Sequence, residues 1–175
     1  MNSPAAEHDG SGPCEFSENL EILRQTDFFS GFPIEKLKVL AYLCTREEFP
    51  SGDLLFATDE DDGRGFFVIS GQLTLLFDAG GEALEVRRFG PGQFLGGLSL
   101  LGSMRRLFSL RSDTASVCLV IEREKFTKAL EQFPELVPRL LQAVSRRVHA
   151  WEKRLLFDMV EEQVALAGRA GVSVL

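Results

Sequence analysis

Histidine is almost missing from this sequence, with His8 and His149 the two examples in 175 residues. Neither falls in a pattern that would pair it with a Ser or Cys nucleophile, so no hydrolytic triad or dyad is offered and no catalytic residue is expected. Paired cysteines are missing too. Cys14, Cys44 and Cys118 are odd in number, far apart and without CxxC spacing. That excludes a disulfide framework or a cysteine-held cluster, leaves no expected metal site, and points to a reducing, cytoplasmic setting. No apolar run reaches transmembrane length, so no membrane partner is expected. The opening MNSPAAEHDGSGPC lacks the basic and apolar regions of a secretory signal. A basic excess is absent as well: the formal charge is −7, which argues against nucleic acid as a partner. Gly63-Arg64-Gly65 lacks the G-K-[ST] ending of a P-loop.

The remainder is an ordinary globular balance, 45% hydrophobic and 26% charged, long enough for one domain and some additional helix. Fifteen Phe stand against one Trp and one Tyr. Phe has no polar handle, so most of these rings belong in a core. Charge is unevenly placed. Glu47 to Asp62 holds seven acids and no base, and Arg123 to Arg154 holds eight bases against four acids. Their plainest reading is a solvated loop and a solvated helix face.

Residues 1–17 read as a disordered lead-in. Helical spacing follows through Leu20, Leu23 and Phe28, then through Ile34, Leu37, Leu40 and Leu43. From Phe49 to Glu122 the texture is short β runs (LLFA, GFFVIS, QLTLLF, EVRRF, LFSLR, SVCLVIE) between Gly-rich turns, which predicts a sandwich, jelly roll or barrel. Gly96 to Gly102 interrupts it with room for a single helical turn. Helix returns at Arg123, stops at Pro134 and runs again over 134–166, leaving 167–175 as a flexible tail. The apolar seam of that last helix is Val137, Leu141, Val144, Val148, Trp151 and Leu155, a 4-3-4-3-4 rhythm that fits a homodimer better than a helix folded back on its own domain. Leu156, Met159, Val160 and Val164 continue it less regularly.

The order of pieces then becomes recognisable: FFSGFPIEKLKVL, FPSGDLLF, GRGFFVISGQLTLLF, PGQFLGGLSLLG, VCLVIEREKF and FPELVPRLLQAVSRRV. Together they resemble the cyclic-nucleotide-binding domain family of catabolite-activator and fumarate–nitrate regulators, kinase regulatory subunits and gated channels. The resemblance implies a mainly β fold with flanking α-helices, a double-stranded β-helix (jelly roll) over 18–133, and a long C-terminal helix. It also implies a phosphate cassette, formed by the amides of a turn at Gly96, Gly97, Leu98 and Ser99 together with an arginine fork.

Two departures follow. The family-like pattern puts a ribose-reading Glu at 97, where this chain has Gly97. Loss of one charged hydrogen bond costs roughly ten- to a hundredfold in affinity. Arg105, Arg106 and Arg111 compete for the phosphate. Two strands must fit between that residue and the helix at Arg123, which selects Arg106; Leu107 then stands where the family has a small residue, and with Phe108 it brings bulk that would fill the pocket. Trp151 is read as a seam residue ahead of a ring stacked over a base. The expected cofactor is at most a weakly held cyclic nucleotide, cAMP or cGMP. About twenty residues follow Arg154, fewer than the ~50 a helix-turn-helix domain needs. The expectation is a non-enzymatic ligand-sensing module; the alternatives are a scaffold with a dead pocket, or the sensor half of a transcription regulator.

Overall fold

The computed structural model describes the backbone of residues 13–171 and the side-chain surroundings of residues 14–157. Eight strands form two antiparallel four-stranded sheets. One has the order β1 (Thr45–Phe49), β8 (Ser116–Glu122), β3 (Arg64–Ser70), β6 (Phe94–Leu95). The other runs β2 (Leu54–Phe56), β7 (Ser109–Ser112), β4 (Leu73–Asp78), β5 (Ala83–Phe89). The expected mainly β roll with flanking helices is what forms.

Strand alternation sorts the apolar residues into two cores. Phe66 and Val68 of β3 and Cys118 and Val120 of β8 point between the sheets, with Leu55, Phe56, Leu73, Phe89 and Leu110. Phe67, Leu119 and Ile121 point to the opposite face, where the helices cover them. Both faces of β3 and β8 are therefore buried, which is why these strands read as nearly continuous apolar runs. β1 was not expected as far back as Thr45. Its sequence TREEF is polar because it is an edge strand with little to bury.

Helix α1 spans Pro13–Gln25, starting inside the stretch expected to be a disordered lead-in and stopping short of Phe28. Proline suits a first helical position because its missing N–H has no partner to lose there. Thr26 turns extended (φ −83°, ψ 120°), and Asp27–Phe29 forms a separate 3₁₀ turn, here called the lead-in turn. Residues 1–12 and 172–175 of the expected lead-in and tail lie outside the described residues. Helix α2 (Ile34–Leu43) and α3 (Arg123–Gln132) bury Leu37, Leu40, Phe126 and Ala129 against the roll.

After a 3₁₀ turn at Pro134–Leu136, α4 runs Val137–Gly171, past the end expected at 166. It docks on the roll by Leu136, Leu140 and Ala143, one position earlier than the heptad seam. Arg139 donates to the Gly31 carbonyl and Arg146 to Ser30 Oγ at 2.7 Å, tying α4 to the lead-in turn. Val137, Leu141, Val148, Trp151 and Leu155 stay exposed, while Val144 is half-buried. The side chains of Met159, Val160 and Val164 lie outside the described ones.

Candidate functional site

β6 ends at Leu95, and the chain passes through Gly96 into a 3₁₀ turn at Gly97–Leu100, the cassette turn. Gly96 has φ +80°, and a Cβ there would sit 2.6 Å from the Arg64 carbonyl oxygen and 3.1 Å from Arg106 Nη1. Only glycine lets the backbone take this shape and run this close over a guanidinium.

Arg106 is 8% exposed and lies beneath that backbone. Its Nε donates to Asp62 Oδ1 at 2.8 Å and its Nη2 to the Arg64 carbonyl at 2.5 Å, and it stacks 4.0 Å from the centre of the Phe56 ring. Burial pulls the guanidinium pKa down and Asp62 opposes that pull; the group keeps its charge at neutral pH. Nη1 has no hydrogen-bond partner among the described residues. Asp62 Oδ2 is buried with no hydrogen bond, 3.6 Å from Arg64 Nε.

The acidic run is largely solvated, as its composition implied, with Glu48, Asp53, Asp59, Glu60 and Asp61 exposed, but it is also tied to neighbouring arginines. Glu60 O and Asp59 N bond the backbone of Arg106, both at 2.8 Å, which brings the run alongside the arginines. Glu47 pairs with Arg64 at 3.0 Å, and Asp61 binds Arg123 and Ser103. The Arg123 and Ser103 hydrogen bonds hold the Asp61 carboxyl far below the usual carboxylate range. Arg123 also donates to the Ser99 carbonyl at 2.6 Å, fixing the cassette turn to α3.

Above Arg106 opens a cavity of about 650 Å³, within the size range of small-molecule sites. The structure brings Gly96, Gly97, Leu98, Ser99, Arg106 and Leu107 together on its wall. Val144, Val148 and Trp151 line it from α4, so half of the expected dimer seam also faces the cavity. Val137, Leu141 and Leu155 do not, nor does Arg111, which sits on β7 beside Glu85 and Asp113. Leu107, 75% exposed, and the half-buried Phe108 both line the cavity. Ser99 is buried, and its N–H is already spent on the Gly96 carbonyl at 3.0 Å, so this amide of the expected anion cradle is not free.

The sequence reading missed Phe28, Phe56, Asp61, Asp62 and Arg147. Phe28 matters most. A Cβ on Gly97 would lie 2.9 Å from the Phe28 ring, which packs on Phe29, Phe94 and Phe126 with centroids 5.1, 5.4 and 6.2 Å away. Seven acids opposite an arginine cluster were a visible signal for Asp61 and Asp62; nothing local marked Phe28. Cys44 and Cys118 are buried, and burial pushes both thiols up to about 12.

A two-sheet antiparallel roll with a glycine-flanked turn over a buried arginine defines the class. The chain belongs to the cyclic nucleotide-binding domain family, whose model matches residues 46–133. It is 26% identical over 122 residues to the HTH-type transcriptional regulator Cmr of Mycobacterium tuberculosis, covering 70% of this chain and 50% of that one. It is 26% identical over 153 residues to the CRP-like cAMP-activated global transcriptional regulator of the same organism, covering 83% of this chain and 66% of that one. The chain thus spans between half and just under two thirds of these relatives. Among solved structures, the N-terminal domain of a transcriptional regulator from Streptomyces coelicolor A3(2) aligns with a TM-score of 0.67 at 25% identity, over 73% of this chain and 92% of that one. Among the described residues no helix is long and apolar enough to cross a membrane.

Proposed function

We propose that this chain is a non-enzymatic sensing module in which an anionic small molecule enters the cavity, meets Nη1 of Arg106, and is reported through α4. The observation that carries this reading is the buried Arg106 guanidinium on the wall of a 650 Å³ cavity that α4 also lines. A desolvated guanidinium with an unused N–H group favours an anion. The name of the CRP-like relative, which is cAMP-activated, makes cyclic nucleotides the first candidates. Weak binding of cAMP or cGMP is expected, because Gly97 supplies no carboxylate for the sugar. The module dimerises through the exposed seam of α4.

A panel of cyclic mono- and dinucleotides in a thermal-shift assay tests this. Ligand at a hundred times its Kd stabilises by about 2.7 kcal/mol, or roughly 5–10 °C for a chain of this size. The shift should vanish in Arg106→Gln/Asp62→Asn, which strands no buried charge. A shift indifferent to that pair of substitutions would move the site elsewhere. A flat response to every anion would favour a scaffold.

A second reading has its own support. Both Mycobacterium tuberculosis relatives are transcription regulators longer than the matched part, so this chain also fits the sensor portion of such a regulator.

A further inference from the structure

We infer that the cavity selects a flat apolar anion and does not read a ribose 2′-hydroxyl. This deepens the sensing reading and rests on it. Three arginines face the cavity, Arg106 buried and Arg105 and Arg147 exposed, with no Asp or Glu among the described lining residues. Among the described lining residues the one side chain with a hydroxyl is Ser99. The rest of the wall is apolar and rich in rings, including Phe28, Phe56, Phe89, Phe108 and Trp151. A sugar hydroxyl buried here meets almost no side-chain acceptor, and an unmet buried donor costs binding. An aromatic or aliphatic body loses nothing against the same wall.

Phe28 makes the selection structural. The space a side chain at position 97 would need is already filled by the Phe28 ring. That ring is 4% exposed and packs on three other phenylalanines, so a side chain at position 97 makes room only by pushing it into the cavity it lines. Gly97 and Phe28 are therefore complementary. One has lost the carboxylate that reads a ribose, and the other occupies its place with hydrocarbon.

Calorimetry on the unmodified protein tests this with four probes: cAMP, 2′-deoxy-cAMP, 1-naphthyl phosphate and inorganic phosphate. The two nucleotides should bind within about twofold of each other, 1-naphthyl phosphate about tenfold tighter than either, and inorganic phosphate far more weakly. A preference of tenfold or more for cAMP over its 2′-deoxy form would overturn the inference and leave the sensing reading standing. So would 1-naphthyl phosphate binding no better than inorganic phosphate, because the apolar wall would then contribute nothing. Silence from all four probes at millimolar concentration sinks both readings. In Phe28→Ala/Gly97→Glu the preference should turn toward the 2′-hydroxyl by about tenfold. If that variant does not fold, the ratios on the unmodified protein still decide the matter.

Discussion

Arg106 has two duties at once, and that shapes what its removal does. It neutralises Asp62, whose side chain is about as buried as its own, and it lines the cavity. Arg106→Ala strands a buried carboxylate, so it should lower stability by about 3–5 kcal/mol in urea unfolding, beyond any loss of ligand. Arg111→Ala breaks only partly exposed pairs and should cost less than about 1 kcal/mol. Gly97→Glu alone should not restore a ribose site. Its Cβ meets the Phe28 ring, and overpacking of this kind costs about 1–3 kcal/mol in the same assay. Counting strands back from Arg123 put Arg106 ahead of two strands, and β7 and β8 do occupy that interval. Phe28 and Asp62 were invisible to that method. They reach the site from 69 and 44 positions away in sequence, across contacts that no local pattern encodes.

At the scale of elements, α4 has two adjacent stripes. Leu136, Leu140 and Ala143 hold its start to the roll, and of the neighbouring heptad seam Val137, Leu141 and Leu155 face outward while Val144, Val148 and Trp151 line the cavity. Leu141 and Leu155 belong to the seam but not to the cavity, so they separate the two roles. Leu141→Glu/Leu155→Glu should reduce the mass in light scattering to the 19.4 kDa of one chain, with nucleotide response retained. An unchanged mass would mean that the seam is not the dimer contact. The heptad rhythm was legible because it is a local period. The docking stripe beside it was not, since only the roll's position tells which stripe faces inward.

The link between the cassette turn and α3 has a pH signature. Arg123 and Ser103 depress the Asp61 pKa below its ordinary value near 3.9, so the link's contribution is complete above that pH and is lost as pH falls below it. The melting difference between the protein and Asp61→Asn should be constant above pH ~5 and shrink below pH ~4. A difference that grows in acid would contradict the pairing.

For the whole molecule, the β roll with its flanking helices and the family were readable from the ordering of short segments, whereas the division into two cores and the occupant of the cavity were not. Segment order reports topology, but ligand choice depends on side chains that converge from the lead-in turn, the cassette, β2 and α4. The overall charge of −7 adds a negative expectation. This chain should form no submicromolar complex with duplex DNA at physiological salt, because phosphate neutralisation dominates that affinity. A gel-shift titration checks it.

Trp151 is the single tryptophan of the sequence and lines the cavity from α4 while 61% exposed, so its emission reports the cavity and α4 together. The most direct measurement is a Trp151 fluorescence titration with cAMP into the millimolar range, repeated on Arg106→Gln/Asp62→Asn. The account predicts a saturable change in emission that disappears in the double variant. Binding seen by calorimetry with Trp151 emission unchanged, or an equal response from the double variant, would contradict it.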